Sequence, residues 1–303
     1  MVDQNFSSDN ETADIPKIDW GKLVDRLQDR FGEYIKNRLA ILGIVIVAMV
    51  LIVALLAPLI QMHDPLDQSI EGRLQRPNLE HFLGTDHLGR DVWARIVHGA
   101  RVALMVGIVA VGIGVVFGTP IGAIAGYCRG RVDEVIMRFM DAILAFPGIL
   151  LALVVVAILG TSLFNTMIAI GVVYVPRFAR VSRGSVMAER EKEYVEASKM
   201  VGESHVSILF RQILPNTLSP LLVQATVFIA YAILTESALS FLGLGIQPPN
   251  PSWGSMLNES RYYIESDPYL AIIPGLSISF TVLGFNLFGD GLRDILDPRL
   301  SEN

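Results

Sequence analysis

Cysteine is almost missing from this 303-residue chain, where Cys128 stands alone. A single thiol excludes an internal disulfide and a cysteine-based zinc site. Charge is also scarce, at 18% of residues, and it is confined to a few segments, so the formal net value of -6 conceals the pattern. No G-x-x-x-x-G-K-[ST] phosphate loop occurs, which excludes an ATP cradle of that kind. The five histidines, His63, His81, His87, His98 and His205, show no ligand spacing along the chain, so no metal and no bound cofactor is expected. The first twenty residues are polar and acidic without an apolar core, and are not read as a cleavable signal peptide. Low-complexity segments and internal repeats are absent as well.

What the chain has in abundance is apolar length. Hydrophobic residues make up 52% of it, which places it with membrane proteins rather than soluble enzymes. A helix of about 20 apolar residues spans a bilayer. Six such segments are expected: 39–59, 103–127, 143–159, 163–178, 218–242 and 269–288. The fold class is therefore all-α, a bundle of six transmembrane helices. Most of the 24 Lys and Arg flank these segments on the side of the N-terminus, the 129–138 turn, the 177–211 loop and the C-terminus. That bias predicts a multi-pass cell-membrane protein with both termini cytoplasmic. In the N-terminal tail Trp20, Leu23, Val24, Leu27, Phe31 and Tyr34 recur at helical spacing, the pattern of an amphipathic helix on the inner membrane surface or on other cytoplasmic helices. Three regions follow: a tail over 1–38, a first span with its outer loop over 39–99, and a five-helix core over 100–303.

In the second segment Gly114, Gly118, Gly122 and Gly126 repeat every four residues, a stripe that lets another helix approach closely, with Pro120 inside it. Packing within the subunit is the expected use. The stretch from Gly84 to Arg101 places Val92, Trp93, Ile96 and Val97 on one side of a short helix, with Arg90, Asp91 and Arg95 elsewhere, and reads as a scaffold. Glu236 is the one acid well inside an apolar segment, and such a charge is costly to keep there. With Ser279 and Asn286 of the sixth segment, it is a candidate for the substrate path. The outer loop over 245–268 is a docking surface for a partner or a lid.

The stretch EREKEYVEASKMVGESHVSILFRQILPN from Glu189 is too polar to enter the membrane. Tyr194, Ala197, Ser198 and Val201 share one helical face before Gly202, and Val206, Leu209, Phe210 and Ile213 share another after it. Two short helices are predicted, the first ended by Gly202 and the second stopped by Pro215. Helices this short need a surface to bury against. Periodicity leaves the protein's own bundle and a partner groove equally open.

Glu196, Ala197, Gly202, Leu214 and Pro215 resemble the EAA motif by which ABC importer permeases engage their ATPases. Ser198 stands where the motif has alanine, and Gln212 where it has isoleucine. GTDHLGRDVWARIVHGAR from Gly84, FPGILLAL from Phe146, ALSFLGLGIQPPNPSWGSML from Ala238 and LFGDGLRDILDPR from Leu287 are similar to the dipeptide, oligopeptide and nickel permease family, in its second permease type with the long N-terminal region. The resemblance covers about Phe31 to Leu300. It implies a type I permease bundle whose 189–216 loop couples to ATPases through Tyr194, Glu196, Ala197, Ser198, Gly202, Val206, Phe210, Leu214 and Pro215. It further implies a second homologous permease, two cytoplasmic ATPases carrying ATP and magnesium, and an extracytoplasmic solute-binding protein, with the lipid bilayer around them and no nucleic acid. The chain itself would be no enzyme. Its cargo would be di- or oligopeptides, with nickel chelates or oligosaccharides as alternatives; an ion-coupled transporter and a structural subunit are the competing classes.

Overall fold

The computed structural model describes residues 37–296. The amphipathic pattern of the N-terminal tail lies outside them. Every regular element among the described residues is helical: α1 (Arg38–Leu55), a short α2 (Ala57–Ile60), α3 (Val92–Cys128), α4 (Gly130–Leu144), α5 (Gly148–Leu159), α6 (Leu163–Glu189), α7 (Glu193–Met200), α8 (residues 205–216), α9 (Leu218–Phe241), α10 (Trp253–Ser260) and α11 (Tyr269–Leu296). Four of them, α1, α3, α9 and α11, are long and apolar enough to cross a membrane, and the bent pair of α4 and α5 makes a fifth if counted as one span.

The expected third segment is thus corrected. Pro147 keeps Phe146 out of the helical region, so the helix breaks there and α5 leaves α4 at 85°. Twelve residues of α5 reach about 18 Å, well short of a bilayer's hydrocarbon core. The expected fourth segment also lengthens. Its helix continues past Phe178 to Glu189, carrying Arg180 and Arg183 beyond the expected segment. At the front of the second segment, the short scaffold helix and the span prove to be one rod, with Asp91 as N-cap accepting from the Ala94 N–H at 2.7 Å. The expected division at residue 99 falls inside it.

The glycine stripe of α3 lies against α6. A β-carbon at Gly114 would sit 2.8 Å from the Phe178 ring, one at Gly126 2.6 Å from the Arg183 carbonyl, and one at Gly122 closer still to the Ala179 carbonyl. Backbone meets backbone here, so the stripe serves contact within the subunit. Pro120 lacks an N–H and its ring would strike the carbonyl four residues back. The helix widens into a π-turn over Gly114–Gly118 just before it. Around this contact a core of Ile170, Tyr174, Phe178 and Phe228 joins α6 to α9, with the Tyr174 and Phe228 rings 4.6 Å apart. A second core, with Ile46, Trp253, Met256 and Phe285, gathers α1, α3, α9, α10 and α11.

Candidate functional site at the elbow between α6 and α9

Gly202 sets the turn between α7 and α8. Its φ of +85° belongs to the left-handed region, and open space surrounds its α-carbon. Backbone conformation, not crowding, therefore requires glycine. The Glu203 N–H donates to the Ser198 carbonyl and the Gly202 N–H to the Lys199 carbonyl, both at 3.1 Å, the paired bonds of a Schellman cap. Ser204 then caps α8 by accepting from the Ser207 N–H at 3.3 Å. Residues 208–213 form a π-turn directly before Leu214 and Pro215. Pro120 and Pro215 are thus each approached through a widened turn.

The elbow is bolted to the bundle from one side. Val195, Ile208, Leu209 and Ile213 bury against Ala123, Tyr127 and Val186. The Tyr127 hydroxyl meets His205 Nδ1 at 2.8 Å, and Arg190 donates to the Tyr127 carbonyl at 2.6 Å. Tyr194 donates its hydroxyl to Glu189 at 2.9 Å and accepts from Asn216 at 3.3 Å. Burial pushes the Tyr194 hydroxyl up from its ordinary value, so it remains a donor. Ser198 donates to the Gln212 side-chain amide oxygen, Oε1, at 2.9 Å, and the Gln212 side-chain amide in turn donates to Glu203.

The other side is bare. Met200 and Val201 are each 89% exposed, Val206 is 68% and Phe210 43% exposed, while Glu196, Ala197, Gly202 and Pro215 are also uncovered. This corrects the expected faces. Val201 and Ala197, grouped by spacing on one face with Tyr194 and Ser198, are exposed, and Val195 takes the buried place. In α8, Leu209 and Ile213 turn inward, but Val206 and Phe210 do not. The π-turn holds an extra residue per turn, so a 3.6-residue pattern loses phase across it.

Above the elbow a cavity of about 730 Å³ opens between α6, α9 and the end of α11, lined among others by Ser185, Glu189, Gln224, Asp290 and Arg293. Sequence reasoning missed these residues, although Gln224 is a polar group within an apolar segment. Glu189 belongs to both places: one oxygen accepts from Tyr194, the other pairs with Lys192 at 2.7 Å, and the side chain borders the cavity.

The path candidates do not converge. Glu236 is 1% exposed and accepts from the Ser240 hydroxyl at 2.6 Å, while that same oxygen of Ser240 takes the Ile246 N–H at 3.1 Å. Its carboxyl organises the turn after α9. Ser279 is exposed on α11 and bonds back to the Gly275 carbonyl, and Asn286 is half-buried. None of the three borders the cavity. At the far end of α3, Arg90 and Arg95, 2% and 1% exposed, hold Glu259 of α10 at 2.7 and 3.0 Å, and Arg90 also holds Asp86 at 2.7 Å. The loop before α3 is thereby clamped to α10.

An apolar helical bundle with an anchored but uncovered elbow at one end has the form of a transporter's membrane component. Residues 118–302 match the binding-protein-dependent transport system inner membrane component, and residues 26–77 match the N-terminal TM domain of oligopeptide transport permease C. The chain is 47% identical over 285 residues to the dipeptide transport system permease protein of Alkalihalophilus pseudofirmus, covering 94% of each. It is 42% identical over 268 residues to the glutathione transport system permease protein of Pectobacterium atrosepticum, covering 88% of this chain and 89% of that one. The inward-facing MetNI methionine ABC transporter shares the fold, with a TM-score of 0.57 at 18% identity over 68% of this chain and 97% of that one. The chain belongs to the binding-protein-dependent transport system inner membrane component family, the permeases of ABC importers.

Proposed function

We propose that this permease imports small peptides, forming half of a translocation path and taking its power from ATPases docked on the elbow. The observation that carries the reading is the two-sidedness of α7 and α8. One face is buried in the bundle, and the other presents Met200, Val201, Val206 and Phe210 with Glu196 beside them. A large uncovered apolar face on a firmly held element suits a protein partner. ATP and magnesium belong on that partner, and this chain hydrolyses nothing.

The rest of the assembly follows from the family: a second homologous permease, two ATPases, and a solute-binding protein on the opposite side. Six crossings with both termini cytoplasmic fit this arrangement if the apolar first half of α6 is the span after α5. The cavity beside Glu189 then opens to the cytoplasm as the inner mouth of the path. Tyr194 links the elbow to Glu189 in the cavity wall, so a displaced elbow changes the mouth's lining. Peptides are favoured over nickel chelates or oligosaccharides because relatives covering most of the chain carry dipeptide and glutathione names.

Gly202→Val tests the docking. A β-branched residue is strained at a φ of +85°, so the Schellman turn opens and the exposed face loses its shape. The variant is expected to insert in the membrane normally and to lose co-purification with its ATPases. Wild-type recovery of the ATPases would overturn the coupling role.

A further inference from the structure

The loop between α2 and α3 brings together two histidines that lie 18 positions apart in the chain. The His63 and His81 rings stand 4.6 Å apart, tilted by 36°. Both turn Nδ1 toward one oxygen of Asp91, His81 at 2.8 Å and His63 at 3.6 Å. The Nδ1 of His63 is buried and has no hydrogen-bond partner. Glu80 completes the group, with one potential ligand atom from each of His63, Glu80 and His81 lying within 4.8 Å of the others.

These features fit a metal centre in its parts. Asp91 is only 2% exposed at its side chain and is fixed in place, because its other oxygen caps α3 through the Ala94 N–H. A carboxylate accepting from Nδ1–H sets the imidazole tautomer and leaves Nε2 as the free lone pair, the usual outer-shell arrangement for a metal-bound histidine. Asn78 positions the ligand-bearing turn by accepting from the Glu80 and His81 N–H groups at 2.9 and 2.7 Å. The neighbouring group of Asp86, His87 and Glu259 differs. Its carboxylates are already committed to Arg90 and Arg95.

We propose that His63, His81 and Glu80 bind a first-row divalent cation of the zinc class, oriented by Asp91. Two imidazoles and one carboxylate leave a fourth tetrahedral position for water or an incoming donor. The ion would staple the chain just after α2 to the turn before α3. This site does not depend on the docking or on the cargo.

The test uses the full-length chain, purified in detergent without a histidine tag, and Zn2+ alone as the probe. About one Zn2+ per chain is expected, with a raised Tm. All five histidines lie among the described residues, so the assignment is checked by substitution. His63→Ala and His81→Ala each lower the affinity at least tenfold. Asp91→Asn retains a capping oxygen, since Asn caps as well as Asp, but loses the carboxylate acceptor for the His81 imidazole; it lowers affinity by about 10–100-fold. His87→Ala leaves binding unchanged. Co2+ in place of Zn2+ gives the visible absorption of a tetrahedral centre, and the signal disappears in His81→Ala even if that variant unfolds no further than wild type. Absence of stoichiometric Zn2+ on the wild-type chain, or wild-type affinity in the His63→Ala or His81→Ala variant, overturns the site.

Discussion

Ser198 and Gln212 hydrogen-bond to each other across the elbow, at 2.9 Å from Oγ to Oε1. Within the stretch that resembles the EAA motif, they are the two residues that differ from it, Ser for Ala and Gln for Ile. The two differences are thus joined in one polar contact between α7 and α8, which extends to Glu203.

Such a pair should behave non-additively. Ser198→Ala alone strands the Gln212 oxygen in a half-buried place, while Ser198→Ala with Gln212→Ile removes both partners. Expected is a coupling of about 0.5–1.5 kcal/mol, with the double variant closer to wild type than the single. Thermal stability and amide exchange in the elbow read this out, and strictly additive effects would count against the pairing.

The clamp at the other end depends on Glu259. Two nearly buried guanidinium groups share it, and removing one charge from such a set costs far more than the set contributes. Glu259→Gln is expected to destabilise by about 3 kcal/mol and to speed proteolysis of the loop over 61–91. An unchanged Tm together with unchanged cleavage would dismiss the clamp.

Close helix approach makes a third expectation. Gly122→Leu forces α3 away from the α6 backbone, at a cost of about 1–3 kcal/mol or more. Gly112 on the same helix faces open space, so Gly112→Ala should be tolerated. Unfolding titrations in mixed micelles compare the two, and equal stability would refute the stripe as a contact surface.

Orientation has its own probe in Cys128, exposed at the end of α3 beside the elbow. An impermeant thiol reagent should label it in inside-out vesicles and not in intact cells. Labelling of intact cells would reverse the topology.

Much of the bundle was legible because the bilayer is a strict solvent: an uninterrupted apolar run such as 218–242 has few alternatives to a helix, and α9 ends within one residue of it. The Gly202 turn was equally readable, since the pattern breaks where a glycine stands. Other features were hidden for definable reasons. Val206 and Phe210 were placed on a common face with Leu209 and Ile213 by a regular period that the π-turn over 208–213 does not keep. Glu236 looked costly in isolation, but Ser240 sits one helical turn away and supplies the compensating hydroxyl. His63 and His81 have no spacing that suggests a joint role; the loop's fold, organised around Asp91, brings them together.

The continuity of α3 has a mechanical consequence. At 37 residues the rod is about 55 Å long, with the Asp91 cap and the Arg95 clamp at one end and Tyr127, which holds His205 of the elbow, at the other. Its glycine contact with α6 lies nearer the elbow. A tilt about that contact moves the two ends in opposite senses, and the longer arm travels further. In such a tilt a small displacement of the Tyr127 end is geared up at the Asp91 end.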